Sequence, residues 1–262
     1  MKSLSAVLAA CLVLVVAATA GAGTPPKLAA LGDSITRGYD TCSVAYTDCP
    51  ANSWSTGTNT SVKSWSQRLA ASAAYNDAKT GAKTADLAGQ ATTAASQAAD
   101  VVTILMGAND VCTSTVATMT PSATVAAQLT TALQTLTSGN SSRQIYVASV
   151  PNVNHLWELF HNNLGANFVW GIAGICQSLL KNPRSTASAD VQRRAQVAQR
   201  TLDDNAAIKA ACQAFAQCHY DNDAAYNVSF TTSDVTTRDY FHPSVSGQAK
   251  AAAAEWTAFF GP

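Results

Sequence analysis

The sequence predicts an α/β fold built on a parallel sheet with helices on both faces. After residue 26, strand-like and helix-like stretches alternate along the chain, and strands separated by helices form parallel sheets. The stretch at 100–106, DVVTILM, is rich in β-branched residues without polar alternation, which is typical of strands covered on both faces. With 262 residues, 47% of them apolar and 12% charged, the chain can bury a sizeable core.

The predicted strands are short runs that end at breakers or polar residues. The first run ends before Gly32, the second before Gly107 and the third before Pro151. The fourth is a short stretch near the last quarter of the chain. The four predicted strands are residues 27–31, 100–106, 143–150 and 219–223.

The predicted helices carry apolar residues at helical spacing. Val62, Trp65 and Leu69 lie on one helical face, and Pro121 occupies a permitted first-turn position. The predicted helices are residues 61–74, 121–137, 189–217 and 244–260. No linker composition interrupts residues 27–262, so we expect one domain there.

Residues 1–22 have the pattern of a secretory signal peptide. Lys2 precedes a long apolar run, and small residues at 18–20 and 20–22 fit an A-x-A cleavage rule. A retained membrane anchor is one alternative, although the apolar run is near the lower length limit for a span. A lipoprotein box ending at Cys11 is another, but the apolar run continues past that cysteine. We therefore expect a secreted protein.

Six of the seven cysteines remain after removal of Cys11 with this leader. An even number of cysteines in an exported chain indicates disulfides, although six cysteines allow many pairings. Proximity in sequence favours Cys42 with Cys49 and Cys212 with Cys218, which leaves Cys112 with Cys176.

Composition argues against nucleic acid and metal as partners. The formal net charge is zero and no basic stripe is interleaved with aromatics. Cysteines at C-x-x-C spacing are absent from the sequence. His155, Glu158 and His161 do not form the H-E-x-x-H motif of zinc proteases. We expect neither a metal nor a cofactor.

A serine, an aspartate and a histidine form the candidate catalytic set. Ser34 follows the first predicted strand, where a turn residue or helix cap would also be ordinary. Asp239 and His242 lie three residues apart in RDYFHP, so one tight turn can point both side chains the same way. A serine hydroxyl needs a neighbouring base, and an imidazole oriented by a carboxylate supplies one.

Hydrolysis of an ester also needs donors for the oxyanion. Asn109 follows a predicted strand and offers a side-chain NH₂, and the backbone N–H groups of Gly89 and Ser34 are further candidates. Taken singly, Asn109 and Gly89 would also be ordinary loop residues.

These blocks together resemble the SGNH or GDSL hydrolases. The blocks are GDS at 32–34, a glycine midway, GAND at 107–110 and DYFHP at 239–243, in family order across nearly the whole chain after the leader. The resemblance implies a flavodoxin-like three-layer α/β/α sandwich with a central parallel sheet of about five strands. It implies Ser34 as nucleophile, His242 as base and then acid, Asp239 as its orienter, and Gly89 and Asn109 as oxyanion donors. It also implies cysteines paired in sequence order.

One block departs from the family pattern. Many members have a glycine block of the form N-L-A-x-S-G-A-T-T, whereas residues 86–93 read DLAGQATT, one residue shorter. Aligned from the right, Gln90 replaces the family glycine, so the Gln90 amide is an alternative to Gly89. No G-x-S-x-G pentapeptide of the α/β-hydrolase type surrounds Ser34.

The expected function is that of a secreted lipase or esterase, and two alternatives remain open. The first is a carbohydrate acetylesterase, with Trp54 or Trp65 stacking on sugars, and the second is a non-catalytic binding module. We expect a monomer acting on a small-molecule or lipid ester. The long loop at 40–60 is expected to shape the pocket, and the apolar segment at 155–180 forms either an acyl-chain groove or ordinary helical core.

Overall fold

Five short strands form one parallel sheet in the computed structural model of the protein, which describes residues 24–261. The strands are β1 (Lys27–Gly32), β2 (Ala73–Asn76), β3 (Val101–Leu105), β4 (Gln144–Val147) and β5 (Cys218–Tyr220). Their order across the sheet is β2-β1-β3-β4-β5, and every neighbouring pair is parallel. The direction of winding changes between β1 and β3, and open α/β sheets bind ligands beyond the strand ends at such a point.

Nine α-helices connect and flank these strands in the part of the chain that the structure describes. They are α1 (Trp65–Arg68), α2 (Leu87–Ser96), α3 (Ala108–Val111), α4 (Ser122–Thr137), α5 (Val153–Phe160), α6 (Leu164–Ile172), α7 (Gln177–Leu180), α8 (Ser188–Gln213) and α9 (Val245–Phe260). Short 3-10 turns lie at Pro50–Asn52, Thr84–Asp86, Val116–Thr118 and Thr232–Asp234. None of the helices described is long and apolar enough to cross a membrane.

The core consists of two apolar clusters, one on each face of the sheet. Along β3, Val102 and Ile104 join the cluster packed under α2, α4 and α8, whereas Val101 and Leu105 join the opposite cluster under α1 and α9. Side chains alternate between faces along a strand, so a strand buried on both faces is apolar at almost every position. In β3 all five residues are buried, and the one polar side chain, Thr103, shares a hydrogen bond with Ser55 Oγ at 2.7 Å. The expected three-layer α/β/α sandwich is confirmed.

The edge strand β2 was not predicted. Its sequence, AAYN, ends the alanine-rich stretch that indicates a helix over 61–74, and the helix there is only α1. β2 pairs in register with Lys27 to Ala30 of β1. Edge strands are half exposed and carry little apolar signal, so the pairing with β1 overrides a weak helical propensity.

Three cysteine pairs lie at disulfide distance, in the predicted combinations. They are Cys42–Cys49, Cys112–Cys176 and Cys212–Cys218. The first closes the loop after β1, the second joins the end of α3 to the start of α7, and the third joins α8 to β5. The predicted signal peptide at residues 1–22 lies outside the described residues.

A pair of buried carboxyl groups lies between α9 and the segment after β5. Asp221 accepts hydrogen bonds from Ser149 N and Oγ and from Ala225 N, at 2.7–2.9 Å. Glu255 is almost fully buried next to it. Burial, and then the charge of Asp221, raise the pKa of Glu255 well above its usual value. The folded protein therefore favours the protonated form of the Glu255 carboxyl.

This pair gives the fold a pH dependence that a Glu255→Gln variant should weaken. A carboxyl whose pKa is higher in the folded than in the unfolded state loses its stabilising effect as pH rises through the folded pKa. The side-chain amide of Gln keeps a hydrogen-bond donor at this position but does not titrate. We expect the melting temperature of the wild type to fall more steeply than that of Glu255→Gln between about pH 5 and about pH 8. Asp203→Asn, at an exposed carboxyl that accepts from Gln199, is the control, and parallel curves for wild type and Glu255→Gln would contradict the assignment.

Candidate active site

Ser34 lies in a tight turn at the carboxyl end of β1. Glycine is required just before it, because a Cβ at Gly32 would lie 2.4 Å from Thr36 Oγ1 and 2.6 Å from Leu105 O. The Gln90 side chain holds this glycine from α2, accepting from Gly32 N at 2.8 Å and donating to Gly32 O at 2.9 Å. The turn then continues with Asp33 Oδ1 accepting from Ile35 N at 2.9 Å. These contacts fix the direction of the Ser34 side chain.

The structure brings Ser34, His242 and Asp239 into one hydrogen-bonded line. His242 Nε2 lies 2.8 Å from Ser34 Oγ, and His242 Nδ1 lies 2.6 Å from Asp239 Oδ2. The other oxygen of Asp239 accepts from the backbone N–H groups of Phe241 and His242, at 2.8 and 3.0 Å. This is the order hydroxyl, imidazole, carboxylate in which a serine nucleophile is activated.

Asp239 stays charged although it is buried. Burial acts to raise the pKa of its carboxyl, but the hydrogen bonds and charge of His242 and the backbone N–H groups outweigh it, and the pKa is lowered. The carboxylate is thus available to orient the imidazole and to stabilise it when it takes a proton.

Helix α9 holds the serine turn and the histidine loop together. Gln248 is fully buried, donates to Ile35 O at 2.8 Å and accepts from Trp54 N at 2.9 Å. Ser244 caps the same helix two residues after His242. One side chain of α9 therefore ties the turn of Ser34 to the element that follows His242.

A second carboxyl lies directly under the site. Asp33 is completely buried, and its Oδ2 has no hydrogen-bond partner. Burial raises the pKa of Asp33 to about 6, partly offset by the Ile35 N–H and by the charge of His242.

Asn109 lies across the switch point from Ser34, at the start of α3. One N–H of its side-chain amide donates to Ala82 O at 2.9 Å. An amide NH₂ carries two donors, so the second can serve a ligand. Asn109 lines both of the cavities that Ser34 lines. This position suits an oxyanion donor.

Gly89 does not lie at the site, and Gly81 does. Gly89 is exposed on α2 and lines neither cavity next to Ser34. Gln90, the alternative, turns its side chain to Gly32 instead. Gly81 follows β2 in a left-handed turn with φ of 80° and lines the same cavity as Ser34 and Asn109.

The sequence around Gly81 also resembles the family glycine block. Residues 76–84 read NDAKTGAKT, which has the nine-residue length of N-L-A-x-S-G-A-T-T and matches it at Asn76, Ala78, Gly81, Ala82 and Thr84. This block overlaps the end of β2, a strand that the sequence pattern does not reveal.

Two cavities meet at Ser34. The first, called here the apolar cavity, has a volume of about 60 Å³ and is lined mainly by apolar side chains, among them Leu156, Ala225, Phe230, Val235 and Ala251. The second, called here the open cleft, has a volume of about 230 Å³ and is lined by Tyr39, Thr80, Gly81, Ile175 and Phe241 among others. Ser34, Asn109 and His242 line both.

The segment at 155–180 contributes little to the apolar cavity. It forms α5, α6 and α7, and only Leu156 from it lines that cavity, while Ile175 and Cys176 line the open cleft. Phe160 and Trp170 are buried in the core. Neither alternative describes the whole segment, because part of it lies in the core and the outer side of α6 is exposed. The loop around 225–235 supplies much of the cavity wall instead.

The histidine pair at the start of this segment has other partners. His155 places Nδ1 at 2.9 Å from Glu158 Oε2 and Nε2 at 2.8 Å from Phe230 O. His161 stacks on Trp157, with ring centroids 4.6 Å apart. Both nitrogens of His155 are thus used within the protein.

The sequence matches the GDSL-like lipase/acylhydrolase family over residues 30–250. The chain belongs to this family. The match spans every element from β1 into α9, so the resemblance drawn from the sequence is confirmed. The chain is accordingly a carboxylic-ester hydrolase, and the family suggests a small-molecule ester as its substrate. A search of curated proteins gave no match.

Solved structures of esterases and lipases share the fold of this GDSL-family chain. A lipase from a goat rumen metagenome has a TM-score of 0.55 and 15% identity, covering 90% of this chain and 98% of its own. A catalytic mutant of Axe2, an acetylxylan esterase from Geobacillus stearothermophilus, has a TM-score of 0.55 and 16% identity, covering 92% and 96%. LAE5, an α/β hydrolase from the metagenome of Lake Arreo in Spain, has a TM-score of 0.52 and 15% identity, covering 89% and 94%. At such identities the likeness extends to the fold alone.

Alanine at the two glycines separates their roles. Gly89→Ala should leave ester hydrolysis unchanged and stabilise the protein by about 0.5–1 kcal/mol, because a helix interior favours alanine and a Cβ there meets open space. Gly81→Ala should lower kcat/KM about tenfold or more, because a Cβ in the left-handed region costs about 1–2 kcal/mol and the amide shifts to relieve it. Kinetics with a soluble ester and thermal unfolding measure both effects. Loss of activity in Gly89→Ala but not in Gly81→Ala would favour Gly89 as the oxyanion donor.

Proposed function

We propose that this GDSL-family protein is a secreted serine esterase that works through an acyl-enzyme, with Ser34 as nucleophile. The observation that carries the proposal is the line of hydrogen bonds from Ser34 through His242 to Asp239, at 2.8 and 2.6 Å. Three disulfide pairs support an oxidising compartment, in agreement with the predicted signal peptide.

In the first step, Ser34 Oγ attacks the ester carbonyl carbon while His242 Nε2 takes the hydroxyl proton. The carbonyl oxygen becomes an oxyanion, for which Ser34 N–H, Gly81 N–H and the free N–H of Asn109 are the proposed donors. When the tetrahedral intermediate collapses, the alcohol leaves with the proton from His242. Water repeats the sequence on the acyl-enzyme and releases the acid, and Asp239 keeps the imidazole in the required tautomer throughout.

The apolar cavity favours acyl chains longer than acetyl. A water occupies at least about 10–15 Å³ of such a volume, so about 60 Å³ holds roughly four to six non-hydrogen atoms. That corresponds to a short acyl chain beyond the carbonyl carbon. Each added methylene that is buried against an apolar wall makes the binding free energy more favourable. We therefore infer a preference for esters of short to medium acyl chains.

Neither tryptophan expected to stack on sugars in the carbohydrate acetylesterase alternative is available for that role. Trp54 and Trp65 are both buried, with Trp54 Nε1 donating to Thr36 Oγ1 at 3.2 Å and Trp65 packed edge-on against other aromatic rings. Neither ring presents a face on which a sugar could stack. A non-catalytic binding module would not need the line of hydrogen bonds from Ser34 through His242 to Asp239, so this line favours an enzyme.

A fluorophosphonate probe tests the nucleophile. The wild type should be labelled and hydrolyse p-nitrophenyl butyrate, and Ser34→Ala should lose both properties. Asn109→Ala should lower turnover by about a hundred- to a thousandfold, since one oxyanion donor is removed. Labelling that survives Ser34→Ala, or an Asn109→Ala variant within about threefold of wild type, would refute the assigned roles.

Filling the apolar cavity tests the acyl preference. Ala251 lines the cavity from α9, whereas Ala253 on the same helix is exposed. Ala251→Leu should lower kcat/KM for p-nitrophenyl hexanoate about tenfold or more relative to acetate, because the added methylenes take the space of the chain. Ala253→Leu should leave the ratio unchanged. A wild type that prefers acetate, or an Ala251→Leu variant with the wild-type ratio, would count against this cavity as the acyl site.

A further inference from the structure

Helix α6 presents an apolar face to solvent. Leu164, Phe168 and Ile172 are 72%, 67% and 72% exposed, and their spacing of four residues places them on one side of the helix. The opposite side is apolar as well, with Ala166 and Trp170 buried in the core. A helix that is apolar all round is ordinarily buried, so the outer side, called here the α6 face, lacks a covering element within residues 24–261.

The helix that carries this face packs against the loop that holds Asp239 and His242. Trp170 Nε1 donates to Tyr240 O at 3.2 Å, and Gly165 lies so close to Tyr240 that a Cβ there would be 2.9 Å from its hydroxyl oxygen. Tyr240 stands between Asp239 and His242 in sequence. Ile175, just after α6, lines the open cleft together with Ser34.

A second apolar projection leans on the same catalytic loop. Val44 and Tyr46 are 63% and 58% exposed in the loop closed by the Cys42–Cys49 disulfide. Tyr46 Oη donates to Arg238 O at 3.3 Å, next to Asp239. These two elements hold five of the eight large apolar side chains that are exposed in the described chain, so exposed apolar surface is concentrated near the cleft.

The size and charge of the α6 face distinguish between occupants. The three side chains expose on the order of 400 Å² of apolar surface, less than the roughly 500 Å² of apolar surface per partner that a stable homodimer buries. The sequence has no Asp, Glu, Lys or Arg between Glu158 and Lys181, so the face offers nothing to a charged partner. A small, uncharged apolar face suits shallow insertion into lipid, which needs no matching protein surface.

We propose that the α6 face binds the surface of an uncharged lipid aggregate and thereby brings the open cleft to ester bonds at that surface. The proposal rests on the proposed ester hydrolysis for its purpose, but the binding itself requires no catalysis. Val44 and Tyr46 would rest on the same surface from the loop beside Tyr39.

The test compares lipid binding with hydrolysis of a dissolved ester. Phosphatidylcholine vesicles are sedimented with the full chain, and hydrolysis is followed on emulsified tributyrin and on dissolved p-nitrophenyl butyrate. The test variant combines Leu164→Ser, Phe168→Ser and Ile172→Ser, and Phe168→Ser alone serves if the triple variant does not fold. Val191→Ser with Leu202→Ser is the matched control, since these α8 side chains are 47% and 45% exposed outside both cavities at Ser34.

The wild type and the control should sediment with the vesicles. The α6 variant should bind them at least about tenfold more weakly, because each apolar side chain buried in the lipid adds to the binding free energy. Its tributyrin activity should fall in parallel, with p-nitrophenyl butyrate activity within about twofold of wild type. The proposal fails if the wild type does not bind vesicles, if the α6 variant binds as well as wild type, or if the wild type is a dimer that this variant dissociates. Failure of the wild type to hydrolyse any ester, with vesicle binding intact, would refute the proposed function instead.

Discussion

The hydrogen bond between Ser34 Oγ and His242 Nε2 joins two positions 208 residues apart in sequence, and the arrangement of the sheet serves that contact. Ser34 must stand at the carboxyl end of β1, and the loop before α9 must cross over the same edge. Gln248 of α9 fixes this meeting by bonding Ile35 O and Trp54 N. Because it is fully buried, both of its bonds act with little competition from water.

The same edge of the sheet concentrates buried carboxyl groups. Asp33 lies under the serine with a raised pKa, Asp239 lies behind the histidine with a lowered one, and Asp110 accepts from Thr84 N and Oγ1 at 3.0 Å. The difference between Asp33 and Asp239 follows from their partners. One backbone N–H serves Asp33, whereas two backbone N–H groups and an imidazole serve Asp239. The number of hydrogen bonds to the charged form thus decides whether the pKa of each buried carboxyl group is raised or lowered.

Apolar surface lies on two sides of Ser34, one inside the protein and one exposed to solvent. The apolar cavity runs inward under α9 and the segment around 225–235, whereas the α6 face and the Cys42–Cys49 loop lie outside at the open cleft. An ester held with its acyl chain inward and its alcohol in the cleft would therefore meet apolar surface on both sides. Both surfaces converge on the loop at 238–242, which also carries the imidazole.

The sequence by itself indicated the family, the alternating α/β architecture and the candidate residues Ser34, Asn109, Asp239 and His242, because these depend on local motifs and on periodic burial. Only the tertiary structure decided which glycine faces Ser34. β2 is an alanine-rich edge strand whose signal resembles a helix, and without it the block containing Gly81 had no place at the edge of the sheet. The cavity wall around 225–235 and the exposed α6 face were likewise settled by packing, because whether an apolar side chain is covered depends on distant segments rather than on its own neighbours in sequence.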